Sequence, residues 1–173
     1  DLGPEIVLLK PDSMVTRDGG DNITSWLDKD MSEEEKESLL ERAGASLATL
    51  HEHAIVHGRP ALRDITRNGE RLAFLDWENR MYSKDLEEQK AIDFLLILHG
   101  LCREDYKEEA SRVHAICEGY RMHQGEAVYE RAKQFLMKHS VVGMITEKLA
   151  PFHMVDVESV RKLYGYLLGG GKR

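Results

Sequence analysis

Apolar positions along the chain recur with two different periods. "EIVLLK" (Glu5 to Lys10) and "SMVT" (Ser13 to Thr16) are short apolar runs on either side of Pro11-Asp12, which predicts a hairpin. "RDGGD" follows as a flexible glycine joint, and Asn22 or Thr24 is placed to cap a short helix that carries Trp26 and Leu27. Ser32 with Glu35 three residues later forms a capping box and opens a long helix expected to reach about Ala54. Leu39, Leu40, Ala43, Leu47, Leu50 and Ala54 recur at helical spacing, so one face of it is apolar. Glu33 to Glu35 lie at the positive end of the helix dipole as a solvated first turn.

The period then changes. In "IVHGRPALRDI" Gly58 and Pro60 break the helix, and Asn68-Gly69 predicts a tight hairpin with a type I′ turn. "RLAFLDW" alternates and leads away as the second strand. Asp64 thus falls just before the first strand and Asp76 at the end of the second, at the same end of the ribbon. Magnesium is usually held by one or two carboxylates, with phosphate and water supplying the rest, so this layout suits one divalent cation. On the pair alone, an equal reading is that both aspartates merely end strands and cap turns. Beyond Glu78 the pattern is helical. "KAIDFLLILHGLC" is nearly all apolar around Asp93 and reads as a central buried helix. Further helices are expected at about Lys107 to His123, Glu126 to His139 and Val157 to Leu168, with "GGGKR" as a tail. The fold class expected is mainly α with small β-hairpins.

Composition narrows the function classes. A chain of 173 residues, 42% apolar and 32% charged, is long enough for a globular domain with a real core. A net charge of -7 argues against broad affinity for nucleic acid, whose phosphates require a basic face. No apolar run approaches the roughly 20 residues that span a bilayer. No signal peptide is visible; the chain begins at Asp1 rather than Met, so its start is expected to be trimmed. Cys102 and Cys117 have no CxxC spacing and read as buried thiols of a cytoplasmic protein. His51 and His53 point about 200° apart on a helix, so "HEHAIVH" is a poor zinc site. Trp26 and Trp77 read as packing residues.

The order of these features resembles the catalytic segment of the protein-kinase-like superfamily. "IVHGRPALRDI" looks like the catalytic loop, usually HRDxxxxN or HGDxxxxN, and "FLDWE" like the metal-binding DFG segment in its IDFE or IDWE form. "KAIDFLLIL" is similar to the helix after that segment in the KEOPS-complex and lipopolysaccharide-core kinases. "MVTRDGGDNITSWL" looks like the last N-lobe strand, the hinge and the first C-lobe helix. The resemblance is nearest to bacterial proteins grouped with the Kdo/heptose lipopolysaccharide kinases, some called toluene-tolerance proteins, and reaches to about Arg103. It implies a C-lobe over residues 21–173 with a remnant of N-lobe strands and hinge over 1–20. The glycine-rich loop, strand lysine and helix glutamate would lie upstream of Glu5.

The resemblance also implies roles. Asp76 would be the main magnesium ligand, and Asp64 stands where the family has its second metal-binding residue, an asparagine. His57 would be the loop histidine packed against the segment before Asp76, and Asp93 would accept hydrogen bonds from the loop backbone. Asp18 and Gly19, in a hinge from Arg17 to Gly20, would meet adenine. ATP and magnesium are the cofactors implied; the partners are nucleotide and a sugar, lipid-linked or protein hydroxyl, in a setting peripheral to a membrane.

One residue departs from the pattern. Arg59 stands where the catalytic aspartate is expected, and arginine cannot accept a proton in a protein. Either Asp64 doubles as base, or the chain is a pseudokinase, a binding or scaffold module without turnover. Arg59 and Arg63 could instead bind phosphate bidentately, or pair with neighbouring carboxylates. A plain helical interaction domain is the third reading, and the hairpin set between two aspartates argues against it.

Overall fold

The computed structural model describes residues 2–78, 83–104, 108–140 and 155–169. The described architecture is mainly helical, with two small antiparallel sheets. Strands β1 (Ile6–Lys10) and β2 (Ser13–Thr16) form the expected first hairpin. Its apolar side chains are exposed. Strand β3 (Asp21–Asn22) leads into α1 (Ile23–Leu27), capped by Asn22, whose side-chain oxygen accepts from the Ser25 N–H at 2.8 Å. Helix α2 (Glu33–Glu52) opens on the expected capping box between Ser32 and Glu35.

That helix stops short of Ala54. Ala54 has φ +58°, and the N–H groups of Ala54 and Ile55 close on the carbonyls of His51 and Leu50 at 3.0 and 2.9 Å. This is a Schellman ending with alanine at the left-handed position that glycine usually fills, at a conformational cost of about 1 kcal/mol.

The second hairpin joins β4 (Ile65–Asn68) to β5 (Arg71–Phe74). Asn68 pairs with Arg71, so the turn residues are Gly69 and Glu70 rather than Asn68 and Gly69. Gly69 has φ +58° and Asn68 has no positive φ. Glycine at the first central position is the type II′ pattern, not the expected I′, and both match strand twist. The glycine joint is not free either. Strand β3 pairs with β4 through Asp21 opposite Arg67 and Asn22 opposite Thr66. A Cβ on Gly20 (φ +78°) would strike the Arg67 carbonyl, so glycine here permits contact with the sheet.

Helix α3 (Leu86–Arg103) is the central helix, with Ala91, Phe94, Ile97, Leu98 and Leu101 fully buried. Helix α4 (Glu109–Tyr120) packs closely on α2, because Gly44 and Gly119 leave no Cβ at the crossing; one on Gly119 would strike the Glu41 carbonyl. The helix expected to continue to His123 breaks after Tyr120. A tight segment, Arg121–Gly125, with Gln124 at φ +65°, turns the chain into α5 (Glu126–Lys138). Helix α6 spans Val155–Leu168, two residues earlier than expected. Lys107 and the "GGGKR" tail from residue 170 onward lie outside the described residues. Among the described residues no helix is long and apolar enough to cross a membrane.

Candidate active site

The loop after α2 is tied down by one carboxylate. Asp93, fully buried on α3, accepts the N–H of His57 at 2.5 Å and that of Gly58 at 3.0 Å. Gly58 has φ +94°, which aims both N–H groups the same way at little steric cost. Behind Asp93 stands His51, with Nε2 at 3.5 Å from Asp93 and Nδ1 at 2.6 Å from the Tyr120 hydroxyl. Burial pushes the His51 imidazole pKa down, against the opposing pull of Asp93, and raises that of the Tyr120 phenol.

His57 joins this loop to the end of the hairpin. Its Nε2 lies 2.8 Å from the Leu75 carbonyl, which can only accept, so Nε2 carries the proton and Nδ1 faces the Arg59 N–H at 3.4 Å. The imidazole packs on Trp77 with ring centroids 4.8 Å apart. The Glu78 N–H donates to the His57 carbonyl at 3.1 Å. The residues on each side of Asp76 are therefore fixed to the loop by His57.

Asp64 and Asp76 share one end of the hairpin, as their spacing suggested. The Leu75 N–H donates to the Asp64 carbonyl at 2.7 Å. Strand β5 ends at Phe74, so Asp76 lies two residues beyond it, at φ +57°. A non-glycine residue held in the left-handed region stores strain of the kind that clusters at functional sites. The Asp64 side chain is 13% exposed, and its Oδ2 is buried with no hydrogen-bond partner among the described residues. Desolvation raises its pKa, and the charge of Asp76 adds to this, while Arg63 and Arg59 oppose it. Arg63 approaches only to 3.7 Å through Nε.

Arg59 fills the middle of the site. Its Nη2 lies 3.2 Å from Asp76 and its Nε 2.6 Å from Glu78. The guanidinium thus pairs with both outer carboxylates, and the cation nearest Asp64 is Arg63, beyond hydrogen-bond distance. On the far side, Arg59 and Arg63 line a cavity of about 390 Å³ with His99, Arg103 and Glu104. Glu78, His99 and Arg103 were not singled out from the sequence. Glu78 ends the quoted "FLDWE". His99 and Arg103 are four apart on α3 and so share a face, a spacing readable in "HGLCR".

Asp18 belongs to the other end of the ribbon, and Gly19 lies against the middle of β4. Asn68 donates to the Asp18 carbonyl at 3.4 Å, and a Cβ on Gly19 would meet the Thr66 hydroxyl. The histidines of "HEHAIVH" do not converge: His51 is buried on Tyr120, while His53 turns back to the Thr49 carbonyl at 2.8 Å. Cys102 and Cys117 are free and buried, with thiol pKa values pushed up by burial to about 12.

Among the described residues no group of three or more His, Cys, Asp or Glu side chains gathers as a metal cage. The Asp64–Asp76 end offers two carboxylates, one with an orphaned buried oxygen, and this donor set fits magnesium. A cation there would have to take Asp76 from Arg59. The sequence matches no protein-family model. It is 27% identical over 166 residues to a protein of Haemophilus influenzae described as an uncharacterized protein; the match covers 95% of this chain and 68% of that protein.

Proposed function

We propose that this chain carries the catalytic loop and metal-binding segment of a kinase-like C-lobe, from an ATP-dependent phosphotransferase. The observation that carries the reading is the Asp64 carboxylate, held mostly out of water with one unpartnered oxygen, on a loop locked by Asp93 and beside Asp76. Asp64 and Asp76 would hold magnesium, which supplies charge neutralisation to the phosphates of ATP. The glycine hinge, packed against β4, would meet the adenine end of the nucleotide.

Asp64 replaces the base missing at Arg59. Its carboxylate, with one oxygen left unpartnered, is the group at hand to accept the proton. As the acceptor oxygen bonds to the γ-phosphorus, its proton passes to Asp64. The bond from that phosphorus to the β-bridging oxygen breaks, and ADP departs. The acceptor is a sugar, lipid-linked or protein hydroxyl.

A second reading is favoured by one contact. The Arg59–Asp76 ion pair supplies the site with its own cation, as a nucleotide-binding scaffold without turnover would tolerate. Calorimetric titration of the full-length protein with ATP, magnesium and both together tests the first reading. Tight binding should require both and vanish in Asp76→Ala, whereas nucleotide binding indifferent to magnesium and to that substitution sinks it. Asp64→Asn separates the two readings: binding retained with turnover abolished marks Asp64 as the base, and no turnover in the wild type marks the scaffold.

A further inference from the structure

The cavity behind Arg59 has chemistry of its own. It lies between the Arg59–Arg63 loop, α1, the C-terminal turn of α3 and the start of α6, with Thr24 and Val155 on its walls. Its volume of about 390 Å³ is at the small end of ligand pockets, the size of a hexose phosphate rather than a lipid or a peptide. Three arginines line it, and Glu104 is the one carboxylate among the lining residues.

Two of the three guanidiniums, Arg59 and Arg103, are anchored from outside the cavity. Asp76 and Glu78 hold Arg59, Asp156 lies 3.3 Å from Nε of Arg103, and Asp64 lies 3.7 Å from Nε of Arg63. No hydrogen bond among the described residues engages the terminal nitrogens of Arg63 or Arg103. Unused paired donors on a guanidinium are what binds a phosphate bidentately. His99 adds an imidazole, fixed through Nε2 at 2.9 Å from the Ser159 hydroxyl. Arg59, on the wall of this cavity, is also the residue that touches Asp76, so one side chain joins the cavity to the Asp64–Asp76 end.

We infer that the cavity lined by Arg59, Arg63 and Arg103 binds an acceptor that already carries a phosphate group, a polyol phosphomonoester with a free hydroxyl. Anion binding stands on the arginines alone; the acceptor role rests on the phosphotransferase reading. The phosphate anchors the molecule and the hydroxyl reacts, so the unphosphorylated polyol is a poor ligand.

Calorimetry on the full-length protein, without nucleotide or metal, tests this with glucose 6-phosphate and glucose as probes. Glucose 6-phosphate should bind and glucose should not. Arg63→Gln and Arg103→Gln should each weaken binding about tenfold or more, the loss expected for a charged hydrogen bond. Arg63→Lys should fall between, and Arg42→Gln, at an arginine outside this cavity, should change nothing. These arginines are partly exposed, so the variants should fold, and circular dichroism checks that they do. Equal affinity for glucose and glucose 6-phosphate, or indifference to both glutamine variants, overturns the inference. Displacement of glucose 6-phosphate by metal-free ATP also overturns it, since the cavity would then be the nucleotide's own phosphate site. Magnesium–ATP binding without glucose 6-phosphate binding defeats this inference alone; the converse defeats the nucleotide reading and leaves the anion site standing.

Discussion

Two carboxylates lie on either side of the same loop and are treated in opposite ways. Asp93 is fully buried, and two backbone N–H groups and a histidine surround it. Asp64 is almost as well covered, yet one oxygen has no partner among the described residues. A buried charge whose hydrogen bonds are complete fixes structure, because any movement would strand it. A buried charge left incomplete costs stability and is available to a ligand or a proton. Asp93 is therefore a positioning residue and Asp64 the candidate for chemistry, although both are aspartates largely withdrawn from water.

The largest effect expected from this contrast is on folding. Asp93→Ala should lower the unfolding free energy by about 3 kcal/mol or more, since it orphans two buried N–H groups at about 1–3 kcal/mol each. Asp64→Ala should cost less than about 1 kcal/mol, because it removes an incompletely satisfied group. Urea denaturation of both variants compares them, and equal losses would erase the distinction.

Next comes the cation already in the site. Arg59→Ala frees Asp76 and Glu78, and should tighten magnesium binding about tenfold, the equivalent of one charged hydrogen bond no longer displaced. A magnesium titration of nucleotide-free protein reads this out; unchanged or weaker binding would mean that Arg59 does not compete.

The two regions should also differ in pH dependence. Asp64 has a raised folded-state pKa, so above the ordinary carboxylate value of 3.8 the unfolded chain releases its proton first. Stability is then lost as pH rises through that range. The stability of Asp64→Asn relative to wild type should increase over the same interval. His51 is shifted the other way. Below its ordinary value of 6.5 the unfolded chain takes up the proton first, and stability is lost as pH falls. His99, depressed mainly by burial, contributes in the same direction, so the His99→Gln variant isolates the share of His51. Stability profiles of wild type, Asp64→Asn and His99→Gln between pH 4 and 7 would show both slopes or refute them.

The smallest effect belongs to the surface. Arg17→Gln should change unfolding free energy by less than about 0.5 kcal/mol, because its ion pair with Glu5 is largely in water. A larger loss there would mean that exposed pairs on this protein cannot be discounted against the buried Asp93 network.

Much of this was written locally in the chain. The capping box at Ser32, the Asn22 cap, the apolar period of α2 and the continuous apolar run of α3 involve neighbours within one or two turns, so the sequence determines them almost alone. The hairpin between Asp64 and Asp76 was legible for the same reason, down to which end carries both acids. Its turn was not, because the register that places Gly69-Glu70 at the tip is set by side chains packed beneath both strands. Pairing of β3 with β4 was hidden too, since "RDGGD" shows only that the chain can bend and not what it meets. The partner of Arg59 and the cavity joining Arg63 to Arg103 depend on segments 17 to 40 residues apart. Which charges face one another across such distances is decided by how the helices and the loop pack, so only the tertiary structure could bring Arg59 between Asp76 and Glu78 and leave Asp64 with an oxygen to spare.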